Sequence, residues 1–304
     1  STDDLSFSPK SGKTPCFESL RPKTMKTAPQ RRVNSWKHQQ EDQLEWLYGT
    51  HSVLAALRHK RRKLVGLHLK DSGQGRLQAL VEAAKKSGVP IHYETPRWFS
   101  DNLGESVHQG VALQCGPLSL LDEAELPPPN SGKPNLVFVL DGVEDPHNLG
   151  AIVRTLGFFG VSAVAIPKDR AAALSPVAAK ASVGALEWFS VVRVTNLHRF
   201  LERQKKRGYW VVGLDGASRN PLRQLEWDRP LMVVLGAEGS GLRPLTKRTC
   251  DWLVSIPGTP EVESLNVSNA AAVTCYHLRN TVSVPEFATP LKTAPADHSS
   301  EFVS

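Results

Sequence analysis

The chain has 304 residues, 40% of them hydrophobic and 22% charged, with a formal net charge of +7. That apolar content is enough for one large core or two ordinary ones and excludes a chain disordered throughout, while no run approaches the ~20 apolar residues of a membrane span. The four cysteines (Cys16, Cys115, Cys250, Cys275) are scattered, with no CxxC and no partnered histidine, and read as reduced thiols rather than zinc ligands.

The charge is unevenly placed. Residues 1–115 hold 18 Lys and Arg against 11 Asp and Glu, and residues 116–304 hold 19 of each. The excess therefore belongs to the N-terminal portion and suits an anionic partner there, or simply a solvated basic surface. Residues 1–43, rich in Ser, Thr, Lys, Pro and Gln without an apolar period, read as a disordered basic arm. The arm lacks the apolar core of a secretory signal, and Asp3, Asp4 and Glu18 sit badly with a mitochondrial presequence. The sequence opens on Ser1, and Met25 is a candidate initiator.

From residue 44 the pattern tightens. "YGTHSVLAALRH" spaces Val53, Leu54 and Leu57 for a helix behind a Thr50/Ser52 start signal. "LVGLHL" (64–69) predicts a strand, and "RLQALVEAAKKSG" (76–88) an amphipathic helix stopped by Gly88. "IHYE" predicts a strand, Pro96 opens a helix, and "GVALQC" (110–115) predicts another strand. These elements make a small α/β domain over 44–117. The run Arg58–Lys63, five cations and one histidine, is its candidate grip on an anionic polymer. "LPPPNSGKP" (126–134) can neither pair in a sheet nor continue a helix, which makes 118–134 a linker.

Apolar runs at Leu136–Leu140, Ser162–Ile166, Ser190–Val194, Tyr209–Leu214, Leu231–Leu235 and Leu253–Ile256 alternate with helical patterns, the last helix at Ser264–Arg279. Buried strands separated by helices predict a mainly parallel sheet covered on both faces, spanning 135–281, followed by a frayed Pro/Ser/Thr-rich tail at 282–304. Parallel sheets bind ligands where strand ends meet helix starts. Three ends have unusual loops. "DGVEDPHNLG" (141–150) offers Asn148 as a helix cap, Gly150 for close backbone approach, and Arg154 further along the helix. "LGAEGSGL" (235–242) sets Glu238 among glycines. "SIPGTPEVESLNVSNAA" (255–271) places Ser264, Asn266 and Ser268 ahead of a helix of small residues. At these elbows neither G-x-G-x-x-G nor GK[ST] occurs, which argues against a dinucleotide fold and an NTPase.

These three motifs, in this order, resemble those of the SpoU-type RNA 2′-O-ribose methyltransferases of the SPOUT superfamily. "HQGVAL" (108–113) and "YGTHSV" (48–53) resemble the small substrate-binding domain of that group, and "AIPKDRAAALSPVAAKASVGALE" with "RVTNL" moves the likeness toward the bacterial enzymes that modify a guanosine of large-subunit rRNA. The resemblance implies an α/β chain with a small N-terminal RNA-binding domain and a C-terminal domain tied in a deep trefoil knot. It also implies a homodimer that binds S-adenosylmethionine and large-subunit rRNA, without membrane or metal, in the cytoplasm or, in a eukaryote, the mitochondrion. By the same resemblance Gly236, Ile256 and Leu265 contact the cofactor, largely through backbone groups. Asn148, Arg154, Glu238, Ser264 and Asn266 match the polar active-site positions. Arg154 is the family's proposed base, yet guanidinium stays protonated, and a clamp on the target phosphate is the more conservative role. A tRNA ribose methyltransferase and a non-catalytic ribosome-assembly protein are the competing readings.

Overall fold

The computed structural model describes residues 44–70, 77–126, 129 and 135–281. The expected basic arm, the tail and most of the proline-rich stretch lie outside them. The first unit runs β1 (Glu45–Tyr48), α1 (Thr50–His59), β2 (Leu64–Lys70), α2 (Gln78–Ser87), β3 (Ile91–Glu94), α3 (Pro96–Leu103) and β4 (Val111–Cys115). Its sheet has the order β1-β4-β2-β3. Strand β4 is antiparallel to β1 and β2, and β2 is parallel to β3. The helical spacing of Val53, Ala56 and Leu57 buries one face of α1 against Leu47, Leu67 and Leu113. As expected, α2 stops at Gly88, whose φ of 70° lets its N–H turn back to the carbonyls of Ala84 and Lys85. Pro96 opens α3 behind Thr95, whose hydroxyl accepts from Trp98 N.

The second unit contains β5 (Leu121–Asp122), β6 (Leu136–Asp141), α4 (Pro146–Phe158), β7 (Ala163–Pro167), α5 (Pro176–Ala181), β8 (Val191–Val194) and α6 (Leu197–Lys206). It continues with β9 (Trp210–Leu214), β10 (Leu231–Gly236), α7 (Pro244–Thr249), β11 (Trp252–Val254) and α8 (Val267–Thr281). Seven strands form one sheet in the order β11-β9-β10-β6-β7-β8-β5, every pair parallel. Alternation divides β6 between two cores: Leu136, Phe138 and Leu140 face one, Val137 and Val139 the other. Both faces are thus covered, as the unbroken apolar runs predicted. The segment taken as a linker is more than a tether. Leu121–Asp122 pairs with Val192–Arg193 as an edge strand, and Leu118, Leu120 and Leu126 are buried.

The two units share the first of these cores, which runs from Leu47 to Leu278. The contact between them corrects two readings. Ser52 does not cap α1; its hydroxyl donates to the Ala179 carbonyl of α5 at 3.0 Å. The run Arg58–Lys63 is only in part an open cationic surface: Arg58, Lys60 and Lys63 are exposed, whereas Arg61 and Arg62 are 5% and 2% exposed. Arg61 donates to the carbonyls of Phe189 (2.6 Å) and Ser119 (2.9 Å). Arg62 grips the buried Glu187 with two bonds of 2.8 and 2.9 Å and also pairs with Glu45. Burial opposes the Arg62 charge, but the Glu187 carboxylate outweighs it and raises the guanidinium above its ordinary pKa. Gly184, at φ 81°, closes the joint: a Cβ there would stand 2.8 Å from the His51 carbonyl oxygen and the Ala55 methyl.

Glu187→Ala leaves the Arg62 charge buried with one partner fewer, and unfolding in urea should show a loss of about 3–5 kcal/mol. Lys60→Ala, at an exposed position, should change stability by less than ~0.5 kcal/mol. Similar costs for the two would remove Arg62–Glu187 as the joint's anchor.

Candidate active site

Parallel pairing levels the strand ends. Asp141 closes β6 directly opposite Gly236 at the end of β10, and the three polar elbows leave the sheet from that edge. Asp141 is only 1% exposed. Its carboxylate accepts from Arg243 N at 3.1 Å and pairs with the Arg243 guanidinium, which fastens the second elbow to the first. Between these anchors the glycine-rich loop folds on itself, with Ala237 and Gly241 exchanging backbone bonds of 3.1 and 2.9 Å. A Cβ on Gly236 would lie 2.2 Å from the Gly241 carbonyl carbon. The tight packing of Gly236 is thus internal to the loop, and its outcome is to turn Glu238 toward the elbow after β6.

The first elbow corrects the capping assignment. Asp145, not Asn148, caps α4: its Oδ1 accepts from His147 N at 2.9 Å, and Pro146 fills the first helical position. Asn148 stands inside the first turn, 8% exposed, with its amide free for other work. Asn148 Nδ2 donates to Glu238 Oε1 at 3.0 Å. Asn266 Nδ2 donates to the same Oε1 at 2.6 Å and to Asn148 Oδ1 at 2.9 Å. Asn266 Oδ1 meanwhile accepts from Ser268 N at 2.8 Å and so caps α8. Side chains 28 and 118 residues from Asn266 thus meet in one triangle. It borders a polar recess of about 330 Å³ lined by Asp145, Asn148, Glu238, Ser240 and Val267. Gly150 sets how closely α4 approaches α5, since a Cβ there would meet the Ala178 carbonyl oxygen at 2.5 Å.

The remaining candidates stand around the triangle, not in it. Ser264 is exposed and makes no hydrogen bond with the three. Gly236 ends β10 and Ile256 follows β11, the two neighbours of β9. Ile256 is half-buried against the core and Leu265 is 45% exposed. The Glu263 carbonyl passes 3.9 Å from where a Cβ of Gly216 would stand, which brings the segment before Leu265 over the end of β9. Residues 257–266 are exposed throughout, with Val262 at 64%. Arg154 is exposed and makes no ion pair among the described residues; within one chain it does not join the triangle. Asp141, Asp145 and Arg243 escaped the sequence reading, although an aspartate ending an apolar strand and one preceding a proline were both visible. Among the described residues no group of three or more His, Cys, Asp and Glu could hold a metal ion, and Cys115, Cys250 and Cys275 are free.

Comparison with known proteins covers both units. The model of the SpoU rRNA Methylase family matches residues 135–276, and that for RNA 2′-O ribose methyltransferase substrate binding matches residues 46–121. The 23S rRNA (guanosine-2′-O-)-methyltransferase RlmB of Pseudomonas putida is 41% identical over 77% of this chain and 95% of its own. The RlmB of Coxiella burnetii is 39% identical over 79% of this chain and 96% of its own. The AdoMet-bound rRNA methyltransferase from Sinorhizobium meliloti shares the fold, with a TM-score of 0.68, 22% identity, and coverage of 81% of this chain and 90% of that one.

The triangle should behave as one unit in unfolding experiments. Asp145→Ala should cost about 0.5–2 kcal/mol as a lost cap. Asn148→Ala combined with Asn266→Ala should deviate from additivity by ~0.5–3 kcal/mol, and strictly additive costs would dissolve the network.

Proposed function

The chain belongs to the SpoU rRNA methylase family, and we infer that it transfers a methyl group from S-adenosylmethionine to the ribose 2′-OH of a guanosine in 23S-type large-subunit rRNA. The observation that supports this most is the Asn148–Glu238–Asn266 triangle beside an open polar recess, built from three separate strand ends. Bound S-adenosylmethionine supplies a sulfonium methyl, and Gly236, Ile256 and Leu265 are the residues we assign to hold it.

The protein's own contribution is placement. Two amides hold the Glu238 carboxylate by one oxygen, and its other oxygen is left to accept from a ribose hydroxyl. Such orientation of a weak nucleophile supplies up to ~7–11 kcal/mol of the barrier reduction. Ser264, exposed at the mouth of the third elbow, is assigned a contact to the nucleotide. Arg154 is assigned the clamp on the target phosphate, where a planar fork matches two oxygens.

That assignment needs a second subunit. Arg154 and Phe158 are four apart on α4 and share a face. Both are exposed, Phe158 at 84%. The adjoining helix α8 exposes Val273 at 41% and Tyr276 at 64%. Large apolar side chains gathered on two packed helices suit a self-association surface, and a homodimer through it carries each Arg154 toward its partner's recess. The passage of residues 263–265 over the end of β9 fits a chain that threads a loop before α8, as a trefoil knot requires. No helix of the described residues is long and apolar enough to cross a membrane; we assign the enzyme to the cytoplasm or, in a eukaryotic cell, the mitochondrion.

The direct test gives the purified chain labelled S-adenosylmethionine and total RNA from cells lacking the modification, then maps the labelled nucleotide. A guanosine 2′-O-methyl in large-subunit rRNA is expected; label confined to tRNA, or none, overturns the assignment. Arg154→Ala should lower turnover about 100-fold or more while cofactor affinity, read by calorimetry, stays within about twofold. Phe158→Glu should yield monomers by sedimentation with the same loss of turnover; an active monomer would dispose of the shared site.

A further inference from the structure

The open face of the small sheet carries chemistry that methyl transfer does not use. Alternation sends Leu47, Leu69 and Leu113 into the core and leaves Trp46, His68 and Gln114 on the other side. Ala112 stands beside His68 and Gly66 beside Gln114, and these small residues leave room for rings. Trp98 of α3 stacks on His68 with centroids 4.6 Å apart and planes 4° from parallel. His68 stacks in turn on His92 at 4.7 Å and 22°. Trp46 closes the flank, meeting the rings of His68 and Trp98 edge-on at 5.1 and 5.2 Å. His68 is held from both faces, and its Nδ1 lies 2.8 Å from Glu94 Oε1. The stack ends at His92. This residue is exposed on β3, the edge strand, and among the described residues the only ring stacked on it is His68.

We propose that the outer face of His92 is the stacking step for an unpaired nucleobase of the RNA substrate, with Trp98 and His68 as the rigid column beneath it. The inference rests on the RNA-methylating reading above and adds where the small domain takes hold of a base. Every base has a π face, so a preformed stack with one open end accepts a splayed nucleotide without ordering anything further. Charge agrees. Residues 44–117 hold ten Lys and Arg against six Asp and Glu. Setting aside the buried Arg61 and Arg62 and their partner Glu45 leaves eight against five. Lys70, two positions beyond His68 on β2, projects from the same face and can meet the phosphate of a stacked nucleotide. The exposed end of the stack is an imidazole rather than an aliphatic group, which favours a base over an apolar protein surface.

The test measures binding of the full chain to the unmodified rRNA fragment that it methylates. His92→Ala should weaken binding on the order of tenfold, with no change in melting temperature or cofactor affinity. His92→Phe should restore binding to near the wild-type value. In both variants the salt dependence of the affinity should keep its slope, because a stacking contact releases no counterions. Wild-type binding by His92→Ala, no rescue by His92→Phe, or a shallower salt slope overturns the proposal. These results are distinct from failure of the functional reading, which shows as a wild-type chain that methylates no RNA and takes this inference down with it.

Discussion

A single carboxylate oxygen, Oε1 of Glu238, accepts from two amides that belong to two other strand ends. Hydrogen bonds to a charged acceptor are worth about 1.5–3 kcal/mol each, but their larger effect here is geometric. Glu238 follows β10, Asn148 follows β6, and Asn266 stands ahead of α8. The triangle closes only when all three elements are in place, so the arrangement at the recess reports on the whole sheet. Two bonds to one oxygen give this exposed carboxylate a defined orientation, and a fixed orientation is what an alcohol nucleophile needs.

Two devices let the strand ends come that close. Asp141 and Gly236 are register partners, and the buried Asp141 carboxylate takes the Arg243 backbone N–H and guanidinium together. Breaking that pair would strand a negative charge beneath the site, which is why the acid is tolerable only with its partner present. At Gly236 and Gly150, by contrast, the requirement is space. Any side chain at either would strike backbone nearer than 3 Å, pushing the hairpin off β10 or α4 off α5.

Periodicity alone located nearly all of the sheet, because the parallel strands are apolar on both faces and their runs are unbroken. What it missed is short or distant. Strand β1 has four residues and β5 has two, lengths that carry no alternation to count, and β5 lies just before a proline-rich stretch that suggested a linker. The cap of α4 was misassigned because Asp145 and Asn148 are both good capping types; Pro146 at the first helical position decides between them. Arg61 and Arg62 looked like surface cations because the groups that hold them come from residues 17 to 128 positions away. The triangle was legible only as a motif. Its three members stood out in the three elbows, their active-site role came from the resemblance, and no pattern in a linear sequence says which amide faces which oxygen.

The buried joint between the units bears on how a substrate is recognised. A flexible tether would let the small domain search, whereas Arg62–Glu187, the Ser52–Ala179 bond and the close pass at Gly184 fix it against α5 and the loop before β8. A continuous apolar core beneath these contacts makes independent motion costly. The span from the open sheet face to the recess is therefore a property of the fold. An RNA that engages both must present its grasped base and its reacting ribose at that separation. Selectivity then follows from RNA shape as much as from base identity, and because the polar joint residues touch neither surface, softening it would blur the choice of nucleotide before it harmed the chemistry.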